Sequence, residues 1–262
     1  MSSAGRWGDL GERLGVGAAM AVVALICVWV GGWLFTAMTV GICAVITWEL
    51  VRMLDPEAPA MRLGIVVGLA LAAESVLPTG YALLLLAVPV FYGVATINEH
   101  RLTYALYATL IQLAGLGLIF LRLDDGITWM LWLALVVIVT DVFGYVFGRL
   151  IGGPKMWTRV SPNKTWSGTI AGWIGAAVVG GVFAAILGVT SELVPISIVL
   201  SMAGQVGDVA ESAVKRRAGV KDSSALLPGH GGLFDRFDGM LGASVLLLLI
   251  TPLIGFPFPV AG

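Results

Sequence analysis

Charge is what this 262-residue chain has least of: Asp, Glu, Lys and Arg make up 12% of it, against 58% hydrophobic residues. A soluble domain carries about 25% charged residues. With a mean hydropathy of +0.97, a water-soluble fold would expose apolar patches large enough to drive aggregation. Cysteine is scarce too. Cys27 and Cys43 both lie inside apolar runs, which excludes a disulfide framework and leaves two small buried hydrophobes. Only two histidines are present, and none stands near His230, so a zinc site is not expected. No internal repeat is visible, which argues against a transporter assembled from inverted repeats. The net charge of −1 gives no reason to expect a nucleic-acid partner.

What is there is a series of long apolar runs. A spanning helix takes about 20 mostly apolar residues. Runs at 14–30, 33–53, 61–78, 80–97, 103–121, 127–148, 166–188, 194–214 and 239–257 reach or approach that length, separated by breaks such as Asp55-Pro56-Glu57, Pro78-Thr79-Gly80 and Asp124 to Gly126. The expected fold is an all-α polytopic membrane protein with about nine transmembrane helices. The first run leads straight into the second with no small-residue cleavage site, so it is expected to be retained as a span. Assigning the loops alternately to two sides puts fourteen Lys and Arg on one side and only Arg122 on the other. By the positive-inside rule the N-terminus is then cytoplasmic and the C-terminus external. The whole chain, 1–262, reads as one membrane domain, with 1–136 as scaffold and homodimer contact and 137–262 carrying the chemistry.

Two connections are long, polar and on the positive side: about 149–165 and 215–238. Loops of this kind on an otherwise minimal frame are usually functional. Asp141 and Asp208 lie within spans that lead into these loops, where an ionisable group costs a few kcal/mol. Asp208, Glu211, Ser212 and Lys215 share one helical face, as do Asp141, Tyr145 and Gly148. Glu49, next to Arg52 near the end of its span, reads as an interfacial residue; Glu74 is given no role. In the second loop, Lys215, Arg216, Arg217, Lys221 and Arg236 interleave with Asp222, Asp235 and Asp238 around the glycines of Pro228-Gly229-His230-Gly231-Gly232. Carboxylates suit Mg²⁺, guanidinium and ammonium groups suit phosphate, and glycines let backbone N–H groups approach an anion. These features predict a Mg²⁺–polyphosphate site at the cytoplasmic membrane surface. His230 could donate to phosphate, act as an acid or base, or simply occupy a turn. In the first loop, Ser161, Lys164 and Thr165 precede a helix and could cradle an anion, although N-capping accounts for Ser161 and Thr165 nearly as well. Gly168, Gly172, Ala176 and Gly180 recur every four residues, the spacing of close helix packing.

The stretch SAVKRRAGVKDSSALLPGHGGLFDRFD, residues 212–238, closely resembles the signature of the bacterial phosphatidate cytidylyltransferases: S-x-x-K-R, four residues, K-D, P-G-H-G-G, and D-R-x-D. Upstream, Gln205-x-Gly207-Asp208-x-x-Glu211-Ser212, Asp141 with Tyr145 and Gly148-Arg149, and Ser161-Pro162-x-Lys164-Thr165 fit as well. The position two after Thr165, usually acidic in that family, is Ser167 here, and no role is carried over to it. The resemblance implies a bacterial inner-membrane enzyme that converts CTP and phosphatidic acid to CDP-diacylglycerol and pyrophosphate with Mg²⁺, and with K⁺ as a second cation. Asp208 and Asp235 would be the paired-cation acids, with Asp238 and Asp141 as further metal ligands and Lys215 and His230 at the reacting phosphates. Ser161, Lys164, Thr165, Ser212, Arg216, Lys221, Asp222 and Arg236 would bind substrate. Two rival readings remain: an ion-coupled transporter using Asp141 and Asp208 as carriers, and an enzyme of the CDP-alcohol phosphotransferase type, although that class's longer Asp-rich motif is absent.

Overall fold

The computed structural model describes residues 3–77, 81–227 and 229–258. The expected break at Pro78-Thr79-Gly80, Pro228 of the glycine motif, and the side chains of Arg6 and Arg13 lie outside the described residues. Nine helices follow one another among these: α1 (Ser3–Val30), α2 (Gly32–Leu54), α3 (Ala60–Glu74), α4 (Ala82–Thr96), α5 (Arg101–Leu123), α6 (Ile127–Ile151), α7 (Trp166–Leu187), α8 (Leu193–Arg217) and α9 (Phe234–Ile254). Each covers one of the nine apolar runs. Six of them, α2 and α5 to α9, are long and apolar enough to cross a membrane, while the apolar parts of α1, α3 and α4 are shorter. The chain is an all-α polytopic membrane protein. Among the described residues the two named strands form an antiparallel hairpin, β1 (Lys155–Trp157) and β2 (Ser161–Thr165), where the sequence suggested only loop.

The chain divides into two compact units, residues 1–119 with 218–237, and residues 120–217 with 238–262.

In the first unit, α1 turns into α2 through Gly31 and Gly32, whose φ of 67° and 53° suit a residue without Cβ. Helices α2 and α3 pack closely: a Cβ on Gly64 would sit 2.6 Å from the Ala44 carbonyl oxygen. Phe35, Ile46, Leu50, Leu63, Leu71 and Ile111 are buried at the centre. Tyr104 lies against Gly93 and donates to the Pro89 carbonyl at 3.0 Å. After α2, Asp55 ties two connections together, accepting from Glu57 N at 3.2 Å and Asn98 N at 2.9 Å. The Asn98 N–H, first among its backbone donors, holds its carboxyl below the usual carboxylate range against the opposing effect of burial.

In the second unit the small-residue stripe of α7 does what its spacing predicts. Gly168 abuts the Gly144 carbonyl, Gly172 faces Thr140 and Gln205, and Gly180 meets Ser197. Buried polar pairs join α6 to α8: Trp132 Nε1 donates to Ser197 Oγ at 3.0 Å, and Thr140 Oγ1 to Ser201 Oγ at 2.8 Å. Trp132 stacks on Phe256, and Trp129 meets the same ring edge-on. Gly207 and Gly242 let α8 and α9 approach until a side chain on either would strike the other's backbone at Asp238 or Ala203. That contact brings Asp208 and Asp238 to neighbouring positions.

Candidate functional site

In the second unit, Lys164 leaves β2 and meets Asp208 of α8, Nζ to Oδ2 2.5 Å, with both side chains partly open to solvent. Ser212, one turn along α8, donates to Asp208 Oδ1 at a long 3.4 Å. Asp238 accepts from Gly239 N at 2.7 Å and lies within the electrostatic reach of Asp208, Asp141 and Lys164. Asp208 and Asp238 thus share the field of the Lys164 ammonium. Asp141 is exposed on α6, one turn from Tyr145, whose hydroxyl accepts from Arg149 at 2.9 Å.

The hairpin sets Lys164. Thr165 is buried and caps α7, its hydroxyl accepting from Gly168 N at 3.2 Å. Ser167 donates to the Gly152 carbonyl at 2.5 Å and lies 3.0 Å from Thr165 Oγ1, so the residue standing where an acid was expected closes the base of the hairpin. Ser161 is half-buried in β2.

The Lys215 ammonium, expected at the reacting phosphates, pairs here with Glu211 at 2.6 Å, and Glu211 is 1% exposed. A buried carboxylate demands a partner, and the lysine one turn along the same helix supplies it. Arg216, Lys221 and Arg236 are exposed.

The first unit holds the rest of the signature. Asp235 Oδ2 accepts three bonds, from Ser223 N at 2.9 Å, Ser223 Oγ at 2.8 Å and Gly232 N at 2.8 Å. Leu227 and Gly231 close a tight turn through Leu227 N to Gly231 O and His230 N to Leu227 O, both 2.9 Å. His230 lies against Gly17 of α1, and Asp222 beside Gly231. Glu49 departs from expectation. It is no interfacial side chain: it is wholly buried, and its carboxylate accepts from Ser224 Oγ, Leu233 N and Phe234 N, with Ser223 Oγ 3.2 Å away. Its neighbour Arg52 lies instead over the Trp48 ring, 5.1 Å from the centroid. The glycines of the motif therefore admit the chain's own carboxylates. Glu49, Ser223 and Ser224 were not foreseen, although an acid in the apolar run of α2 was a signal in the sequence.

Whether these groups suit Mg²⁺ is answered by their chemistry. Among the described residues no group of three or more His, Cys, Asp or Glu is arranged to hold an ion unaided. Mg²⁺ asks for less, one or two carboxylates with substrate phosphates completing the shell. Asp208, already carrying an ammonium, is a hard oxygen donor in a negative surrounding, and the fit is good.

The Cytidylyltransferase family profile matches residues 11–253. The chain belongs to that family. Among relatives of this cytidylyltransferase-family chain, a phosphatidate cytidylyltransferase of Brucella abortus is 47% identical over 149 residues, 55% of each chain. One of Staphylococcus saprophyticus is 41% identical over 145 residues, 53% of this chain and 56% of the relative. One of Staphylococcus haemolyticus is 43% identical over 130 residues, 48% of this chain and 50% of the relative. The chain spans about half the length of the curated relatives it matches.

Proposed function

We propose that this chain is a phosphatidate cytidylyltransferase, which transfers the cytidylyl group of CTP to phosphatidic acid, releasing pyrophosphate and forming CDP-diacylglycerol. The observation that carries the reading is the signature from Ser212 to Asp238 in a family member whose relatives bear that name. A phosphate oxygen of phosphatidic acid attacks the α-phosphorus of CTP; the new P–O bond forms as the α–β bridge breaks, and the pyrophosphate takes the bridging oxygen. Such a transfer depends on positioning and charge neutralisation rather than on a covalent intermediate. Asp208, with Asp238 and Asp141, would hold Mg²⁺, and the resemblance assigns Asp235 as a cation ligand too, with K⁺ as the second ion. Bound there, the cation would offset the repulsion between two polyanionic reactants.

The chain's own groups do the remainder. Lys164, paired with Asp208, would also neutralise a phosphate of CTP. Arg216, Lys221 and Arg236 bind phosphate oxygens as exposed point charges and forks. Ser212 and Ser161 donate to substrate, Asp222 binds ribose or steadies Lys221, and His230 faces the leaving pyrophosphate. Phosphatidic acid enters sideways between helices, because pulling its acyl chains from the bilayer would cost about 0.8 kcal/mol per CH₂. A homodimer in a bacterial inner membrane, cytoplasmic side to the site, completes the proposal; the bacterial origin of the relatives supports the location. Pyrophosphate release by purified protein that requires both CTP and phosphatidic acid tests the reading. Uptake of a solute into vesicles without pyrophosphate release would favour the transporter, and turnover of CDP-diacylglycerol with an alcohol would favour the phosphotransferase.

A further inference from the structure

We propose that Glu49, outside the signature, is the positioning residue that fixes the signature's Asp235; this rests on the reading of Asp235 as a cation ligand given above. Every atom of the argument lies in the first unit. The N-terminus of α9 leaves backbone N–H groups without intrahelical partners. The residue before it, Leu233, has no side-chain oxygen with which to cap it. The cap is imported from α2: Glu49 Oε1 accepts from Leu233 N at 3.0 Å and Oε2 from Phe234 N at 2.7 Å. Ser224 Oγ donates to Oε1 at 2.6 Å, and Ser223 Oγ stands 3.2 Å from Oε2. A buried carboxylate is tolerated when it is this fully hydrogen-bonded and faces the positive end of a helix.

The link to Asp235 is Ser223. Its hydroxyl lies between the two carboxylates, 2.8 Å from Asp235 Oδ2 and 3.2 Å from Glu49 Oε2. It has one proton to give, and the shorter contact assigns that proton to Asp235. Asp235 is then held by Ser223 N, Ser223 Oγ and Gly232 N, three donors on the very segment that Glu49 pins. The glycines report the same design independently. A Cβ on Gly232 would collide with Ser223 Oγ and Glu49 Oε1, and one on Gly231, at φ +80°, would come within 2.7 Å of Asp235 Oδ2. Two consecutive glycines of the motif are there because two acids crowd their backbone.

The test uses the full chain in nanodiscs. In Glu49→Gln an amide N–H₂ must face a backbone or hydroxyl donor, so the clamp opens. Hydrogen exchange measured without substrate or metal should quicken about tenfold at Gly232 to Asp235, with α6 to α8 unchanged. Binding of Mn²⁺ alone, followed by EPR, should weaken by a similar factor. Glu49→Asp, one methylene short, should not rescue either. A purely structural residue would lower the yield of folded protein and leave the Mn²⁺ midpoint of the remainder at the wild-type value, and that result overturns the proposal. So does unchanged exchange at Gly232 to Asp235. Should Glu49→Gln fail to insert, Ser224→Ala removes one clamp bond without touching Asp235. It should shift both readouts about threefold, and wild-type values there overturn the proposal equally. If the wild-type chain makes no CDP-diacylglycerol, the functional reading fails while exchange and Mn²⁺ binding still judge Glu49.

Discussion

Removing the Lys215 ammonium while leaving Glu211 in place isolates one electrostatic feature of α8. The pair is 2.6 Å apart, with Glu211 1% and Lys215 11% exposed. At an effective dielectric of about 20, charges at that distance attract by roughly 6 kcal/mol, most of it offset by the desolvation of both groups. Losing one partner forfeits the attraction and keeps the desolvation, so Lys215→Met should destabilise the protein by about 3–5 kcal/mol. Replacing both, as Glu211→Leu with Lys215→Met, removes both sides of that balance and should fall within about 1 kcal/mol of wild type. Unfolding by SDS titration in mixed micelles reads this well, because the buried Trp129 and Trp132 belong to the same unit as the pair and their fluorescence reports that unit. A Lys215→Met single variant as stable as wild type would show that the pair carries no such energy. A double variant as unstable as the single one would show that the helix, not the ion pair, is at fault.

Gly168→Ala would place a methyl group against the Gly144 carbonyl and Gly148, so it should cost about 1–3 kcal/mol in the same titration by prying α6 from α7. Asp208→Asn should lower cytidylyl transfer at least about 100-fold while the protein still inserts and elutes as wild type; full activity would remove Asp208 from the site. Asp55, whose carboxyl is held low chiefly by Asn98 N–H, contributes stability that is fully present above its unfolded value of about 3.9. That contribution disappears as pH falls through the lower folded value. Asp55→Asn should therefore be less stable than wild type at neutral pH and converge on it in acid, as thermal melts across pH would show.

The nine helices were legible because apolar runs of this length have few other uses, and Gly, Pro and charge marked most of their ends. The beginning of α1 was not: its first turns, from Ser3, carry polar residues that a hydropathy reading assigns to water. The hairpin was missed because strands of 3 and 5 residues are too short to establish a period of two. Most of the acids and bases of the site were named from the signature, yet their pairings were not. Glu211 and Lys215 stand four residues apart on one face of α8, so the spacing itself offered that pair; nothing in the spacing told Lys164 to choose Asp208, since that choice depends on how β2 and α8 are brought together. Glu49 was misread because Arg52 suggested a partner one turn away. Its true partners are 174 to 185 residues distant in the chain. The clue lay in Leu233, a helix start with no cap of its own.

Cytidylyl transfer is decided by the fate of the α-phosphate. Purified protein given phosphatidic acid, Mg²⁺ and CTP labelled at the α-phosphorus should move the label into the lipid phase as CDP-diacylglycerol. CTP labelled at the γ-phosphorus should leave its label in water as pyrophosphate. Label from the γ-position in the lipid, or none from the α-position with both substrates present, would contradict the account.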